Sequence, residues 1–86
     1  NLEPVDNAVE KVKELTGYTY NIKETGKRNA GLIAQDVEKV LPEAVDGEEG
    51  DKTLDYNATI ALLVNAVKEQ AEQIEVLKAR LEVLES

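Results

Sequence analysis

From Tyr56 to Leu84 the chain carries an unbroken heptad seam, and a seam of that length exists to meet another helix. Steps of four and three pick out Tyr56, Ile60, Leu63, Val67, Gln70, Ile74, Leu77, Leu81 and Leu84, with Gln70 the only strongly polar member. The spacing predicts a helix over 57–84 that spans roughly 42 Å at the usual rise, longer than a small domain is wide. Part of it must project as a stem. A lone copy would fray, because one buried stripe does not offset the backbone entropy of ordering so long a segment.

The 86 residues allow one small unit: a head over 1–55 and a coiled-coil stem over 56–86, intertwined as one functional module. A head of that size buries a low fraction of its surface, so association is the expected remedy. There is no cysteine and no histidine, which removes disulfides, thiolate nucleophiles, imidazole bases and any ordinary zinc site. The only serine is Ser86, the last residue. No cofactor and no catalytic residue is expected within these residues. A net charge of -8, with ten basic residues scattered among eighteen acidic ones, argues against nucleic acid as a partner. No apolar run approaches a membrane span and nothing at the N-terminus resembles a signal peptide, so a soluble chain with no membrane partner is expected.

The head reads as α+β. Pro4 opens a first helix, with Asp6 as cap or first-turn acid and Val5, Val9, Val12 and Leu15 at helical spacing; Thr16 and Gly17 stop it. Tyr18, Tyr20 and Ile22 then alternate with polar residues as a half-buried strand, and the two tyrosines are expected to fill the head core. Glu24 to Asn29 reads as a hairpin turn, its Lys27 and Arg28 solvated at the tip, with the return strand over Ala30 to Ala34. Ile33, Val37, Val40 and Leu41 share one face of a short helix that Pro42 ends. Val45 and Leu54 are candidates for a second pair of short strands. The acidic loop between them lacks the ligand spacing of an EF-hand and reads as a solvated turn. Asp55, Tyr56 and Asn57 can cap the long helix. Its first turns, Ile60 to Val67, are apolar nearly all round, so Ile60, Leu63 and Val67 are expected to carry head packing as well as partner contacts. Beyond Lys68 the outer face, with Glu69, Glu72, Glu75, Lys78 and Glu82, is expected to be solvated.

The seam letters leave the number of helices open. Ile60, Val67, Ile74 and Leu81 occupy one seam position and Tyr56, Leu63, Gln70, Leu77 and Leu84 the other, and branched residues at the first with leucine at the second favour a parallel pair. Val64, Ala66 and Ala71 flank the seam where a dimer would place charges, which widens the apolar face and suits three. Gln70 reads either as a register-setting polar layer or as a tolerated imperfection in a wet stem.

Head and stem together carry a resemblance. The stretch Gly31, Leu32, Ile33, Ala34, Gln35, Asp36, Val37, Glu38, Lys39, Val40, Leu41, Pro42, Glu43, followed by Leu54, Asp55, Tyr56 and a long helix, resembles the C-terminal intramolecular chaperone domain of bacteriophage tail spikes and tail fibres. This is the peptidase S74, or endosialidase chaperone, family, and Asn1 to Pro4 are also similar to it. Its signature falls here on Gly31, Ala34, Gln35, Val37, Leu41, Pro42, Asp55 and Tyr56. The resemblance implies a parallel homotrimer that brings fibre or spike chains into register and acts on the preceding domain of its own polypeptide. That role belongs in the host cytoplasm during virion assembly, with release from the mature fibre after self-cleavage. The family's serine and lysine lie in a stretch before the segment matching Asn1 to Pro4, so the resemblance implies no peptidase activity in these residues. The family also occurs in membrane-anchored transcription regulators, which leaves a trimerisation module of that kind as the alternative.

Overall fold

The computed structural model describes residues 1–86. Helix α1 (Ala8–Lys13) is followed by a hairpin of β1 (Tyr18–Asn21) and β2 (Arg28–Gly31), then α2 (Ala34–Val40) and a 3-10 turn (Pro42–Ala44). A second hairpin of β3 (Val45–Asp46) and β4 (Thr53–Leu54) leads into α3 (Tyr56–Glu85). The class is the expected α+β, with two small antiparallel hairpins and a long C-terminal helix. Helix α3 gives the chain its length, in extents of 61 × 36 × 17 Å. No helix is long and apolar enough to cross a membrane.

Helix α1 starts at Ala8, four residues later than Pro4. Asn7 holds a left-handed backbone with φ 51°, which no helix continues through and which asparagine tolerates better than most residues. The Asn7 side chain makes no cap, so the first amides of α1 need another acceptor. They find it far away in sequence: the Ala8 and Val9 N–H groups donate to Oε2 and Oε1 of Glu69, at 2.7 and 2.9 Å. Asn65 Nδ2 donates to the Val5 carbonyl at 2.9 Å. Glu69 is therefore no outer-face residue of a solvated stem, as its charge alone indicated, because α1 lies against its side of α3.

The first hairpin also departs from expectation. Its register pairs Tyr18 with Gly31 and Asn21 with Arg28, so β2 lies two to three residues ahead of the Ala30–Ala34 return strand read from sequence. The turn explains the shift. Gly26 adopts φ 71°, and the Ile22 N–H donates to the Lys27 carbonyl at 2.8 Å, closing the loop early. Arg28 then stays in the strand, where its guanidinium donates to Thr19 Oγ1 and Asn21 Oδ1 at 2.7 and 3.2 Å. Tyr18 and Tyr20 do not fill the head core; both are nearly half exposed. Their hairpin stands out as an arm, and the core is closed without it.

That core is small. Ala8, Val37, Leu41, Ala44, Leu62 and Ala66 form it, ringed by Val5, Val9, Val12, Leu15, Leu32, Val40, Val45, Leu54 and Ala58. Only seven of 86 residues are buried, which leaves a single chain weakly stabilised by its own packing. Leu41 and Pro42 explain how so short a stretch folds back: Leu41 ends α2 in the core, and Pro42, lacking an N–H, opens the 3-10 turn. The second hairpin is tied to α2 by Lys52, which bonds Glu38 and lies 3.6 Å from Glu49. Its pKa is raised, mainly by the hydrogen bond to Glu38.

Candidate oligomerisation face

Helix α3 is aimed by its first residues. The Asp55 carboxylate accepts from the Asn57 N–H at 2.9 Å and more loosely from Ala58, while the Asp55 N–H donates to the Ala44 carbonyl at 2.7 Å. One residue thus both caps the helix and ties it to the 3-10 turn. Tyr56 follows, its hydroxyl seated over Gly31 of β2. A Cβ added at Gly31 would stand 2.7 Å from that oxygen, so the position accepts no side chain unless Tyr56 moves. Tyr20 brings its own hydroxyl to the same spot, at 3.7 Å from the added atom.

The signature residues therefore divide by task. Gly31 and Tyr56 join hairpin to stem, Ala34 begins α2, Val37 and Leu41 supply core, and Pro42 and Asp55 govern chain direction. Gln35 is exposed on α2 and makes no side-chain hydrogen bond to explain its place.

Along α3 two faces separate. Thr59, Leu62 and Ala66 are buried against the head, and Asn65 and Glu69 bond to the segment around α1. The seam residues point elsewhere. Tyr56, Ile60, Leu63, Val67, Ile74, Leu77, Leu81 and Leu84, with Val64 beside them, are exposed in the single chain, from 49% at Leu63 to 81% at Leu84. Gln70, in the same row, is exposed too. At roughly 100° per residue, the seam lies about a quarter-turn around the helix from the head-packing face. Ile60 and Val67 consequently do not pack the head, contrary to the expectation drawn from the all-round apolar run. Two seam residues also reach the head: Leu63 lines a cleft with Val12, Leu15, Leu32 and Leu62, and Tyr56 meets Gly31.

A contiguous apolar row of this length is far larger than the isolated apolar side chains normal on a monomer's surface. Chemically it can do one thing well, which is to bury itself against similar helices. Ser86 spends its hydroxyl on the Val83 carbonyl at 2.7 Å, and no group of three or more acidic side chains is placed to hold a metal ion.

The sequence compares with known proteins as follows. The family described as Chaperone of endosialidase, Peptidase_S74, matches residues 1–46. The long tail fiber protein Gp37 of Enterobacteria phage M1 is 44% identical over 92 residues, covering 94% of this chain and 37% of the relative. Gp37 of Enterobacteria phage K3 is 37% identical over 91 residues, covering 94% of this chain and 7% of the relative. Gp37 of Salmonella phage S16 is 36% identical over 96 residues, covering 98% of this chain and 13% of the relative. The chain thus spans well under half the length of each of these relatives.

Proposed function

This chain belongs to the Peptidase_S74 family of endosialidase chaperones, and from that premise we propose that it is the assembly chaperone of a phage tail fibre, working as a parallel homotrimer. The observation that carries the reading is the unpartnered seam of α3, from Tyr56 to Leu84, on a chain whose relatives are long tail fibre proteins. Three copies of the seam bury one another's apolar rows. Val64 and Ala71 beside the seam widen the contact to suit three helices, and the small core gives each chain a reason to associate.

The client is the preceding fibre segment of the same polypeptide. Fibrous β folds depend on non-local contacts and form slowly, whereas a helical stem closes local contacts first. Joining three chains at the stem raises the effective concentration of the client strands before their fold closes. The work takes place in the host cytoplasm during virion assembly, and release follows cleavage by residues outside 1–86. No residue of this chain is assigned a catalytic role.

The test uses the longer polypeptide that carries this chain, unaltered and with Ile74→Asp and Leu77→Asp together. The substitutions place charges in the seam away from the head, so protease-resistant fibre trimers should be lost while the head remains folded. Equal yields of resistant fibre from both proteins would refute the assignment.

A further inference from the structure

Helix α1 lies against α3, with its Ala8, Val9 and Val12, and Leu15 just beyond it, packed in or against the core. Such contacts are non-directional, and six residues of helix could slide or tilt along the row Leu62, Ala66 at little cost. Three hydrogen bonds remove that freedom. The Glu69 carboxylate grips two consecutive amides, Ala8 at 2.7 Å and Val9 at 2.9 Å, and Asn65 one turn earlier grips the Val5 carbonyl at 2.9 Å. Both residues sit off the seam, so nothing in oligomerisation demands them there.

We propose that Glu69 and Asn65 form a registering clasp, which fixes the height and direction at which the incoming segment Asn1–Asn7 meets the stem. The clasp is a property of each single chain. Its consequence for the client rests on the proposed trimer: with three identical clasps on one symmetric stem, three incoming chains arrive at one height, and register passes from stem to client. Glu69 and Asn65 are positioning residues. Their hydrogen bonds go to backbone groups of Val5, Ala8 and Val9, so the clasp needs no hydrogen-bonding side chain on the incoming segment.

Charge supports the geometry. The amides of Val9 and then Ala8 hold the Glu69 carboxyl below its ordinary pKa, against partial desolvation. Asp6 on the incoming segment opposes this and Lys11 on α1 assists it, the two being paired at 3.1 Å; Glu72 and Arg80 line the same groove of α3. Because the folded pKa lies below the unfolded one, the clasp is at full strength above the ordinary carboxylate range and is lost as pH falls through the lowered value.

The absence of cysteine makes the test direct. Spin labels at Glu10→Cys and Lys68→Cys, diluted among unlabelled chains, report the height of α1 on α3. The labelled protein should give one narrow distance at neutral pH. Adding Glu69→Ala with Asn65→Ala should broaden it and raise amide exchange at Ala8 and Val9 by about tenfold, while helicity and sedimenting mass stay the same. Glu69→Gln should abolish the pH dependence of the distance, and in the protein with native Glu69 the broadening should follow the titration of the Glu69 carboxyl read by carbon NMR. An unchanged distance and unchanged exchange in the double substitution would overturn the clasp, as would a distance indifferent to that titration. Mass measured on the same samples keeps the two readings apart, since a monomer with a narrow distance sinks the trimer and leaves the clasp standing.

Discussion

Replacing Leu62 with alanine removes the largest fully buried side chain and should destabilise the head without touching the seam. Leu62 is 0% exposed, packed among Ala8, Val37, Leu41, Ala44 and Ala66. A buried leucine cut to alanine costs about 2 to 5 kcal/mol, more where the surroundings cannot collapse into the space. Here Ala8 and Ala44 are held in place by hydrogen bonds with Glu69 and Asp55, which favours the upper half of that range. A chain of this size has a stability of about 4 to 13 kcal/mol, and with so few buried residues the lower end applies. At about 4 to 8 °C per kcal/mol, a loss in the upper half of the leucine-to-alanine range should lower the melting temperature of the head by at least about 14 °C. The assay is amide exchange at Val37 and Leu41 alongside a thermal melt by circular dichroism. Chain concentrations must be matched, because association makes the melting temperature concentration-dependent. A shift below about 4 °C, or loss of association while Val37 and Leu41 stay protected, would show that the two faces of α3 are not separate as described.

Three further perturbations probe other joints. Gly31→Ala should displace the Tyr56 hydroxyl at little cost in stability, read as a changed Tyr56 ring environment by NMR, and Tyr56→Phe should lessen that change; an unaltered Tyr56 signal in Gly31→Ala would refute the contact. Asp55→Ala should cost about 0.5 to 2 kcal/mol and fray only the first turn of α3, seen as faster exchange at Asn57 and Ala58 with no change near Leu77. Gln70→Leu should raise the melting temperature while letting the assembly mix chain numbers, as expected of a register-setting polar layer; a single unchanged mass would make Gln70 a mere imperfection.

Much of the fold was legible because its signals are local. Pro42, the alternation around Tyr18 and the heptads of α3 each declare an element within a few residues. Val45 and Leu54 read as facing strands for the same reason, and they pair in register. What was missed depends on contacts remote in sequence. Nothing near Asn7 shows that α1 will be capped by Glu69, some sixty residues away. Nor does the run Ile60 to Val67 reveal which apolar residues face the head, because two adjacent stripes overlap in it and only the position of α1 separates them. The one readable hint was Asn65 and Glu69 themselves, polar residues spaced by four beside Leu62 and Ala66. The alternation at Tyr18 and Tyr20 shows that one strand face is apolar, but not that a core lies over it, and both rings stand nearly half exposed.

The seam is the centre of the account, and its chain number is the quantity to measure. Sedimentation equilibrium of the 86-residue chain at neutral pH should give about three times the 9.5 kDa mass of one chain, constant across the range of loading concentrations. A mass of one chain at all concentrations, with α3 still helical, would contradict it.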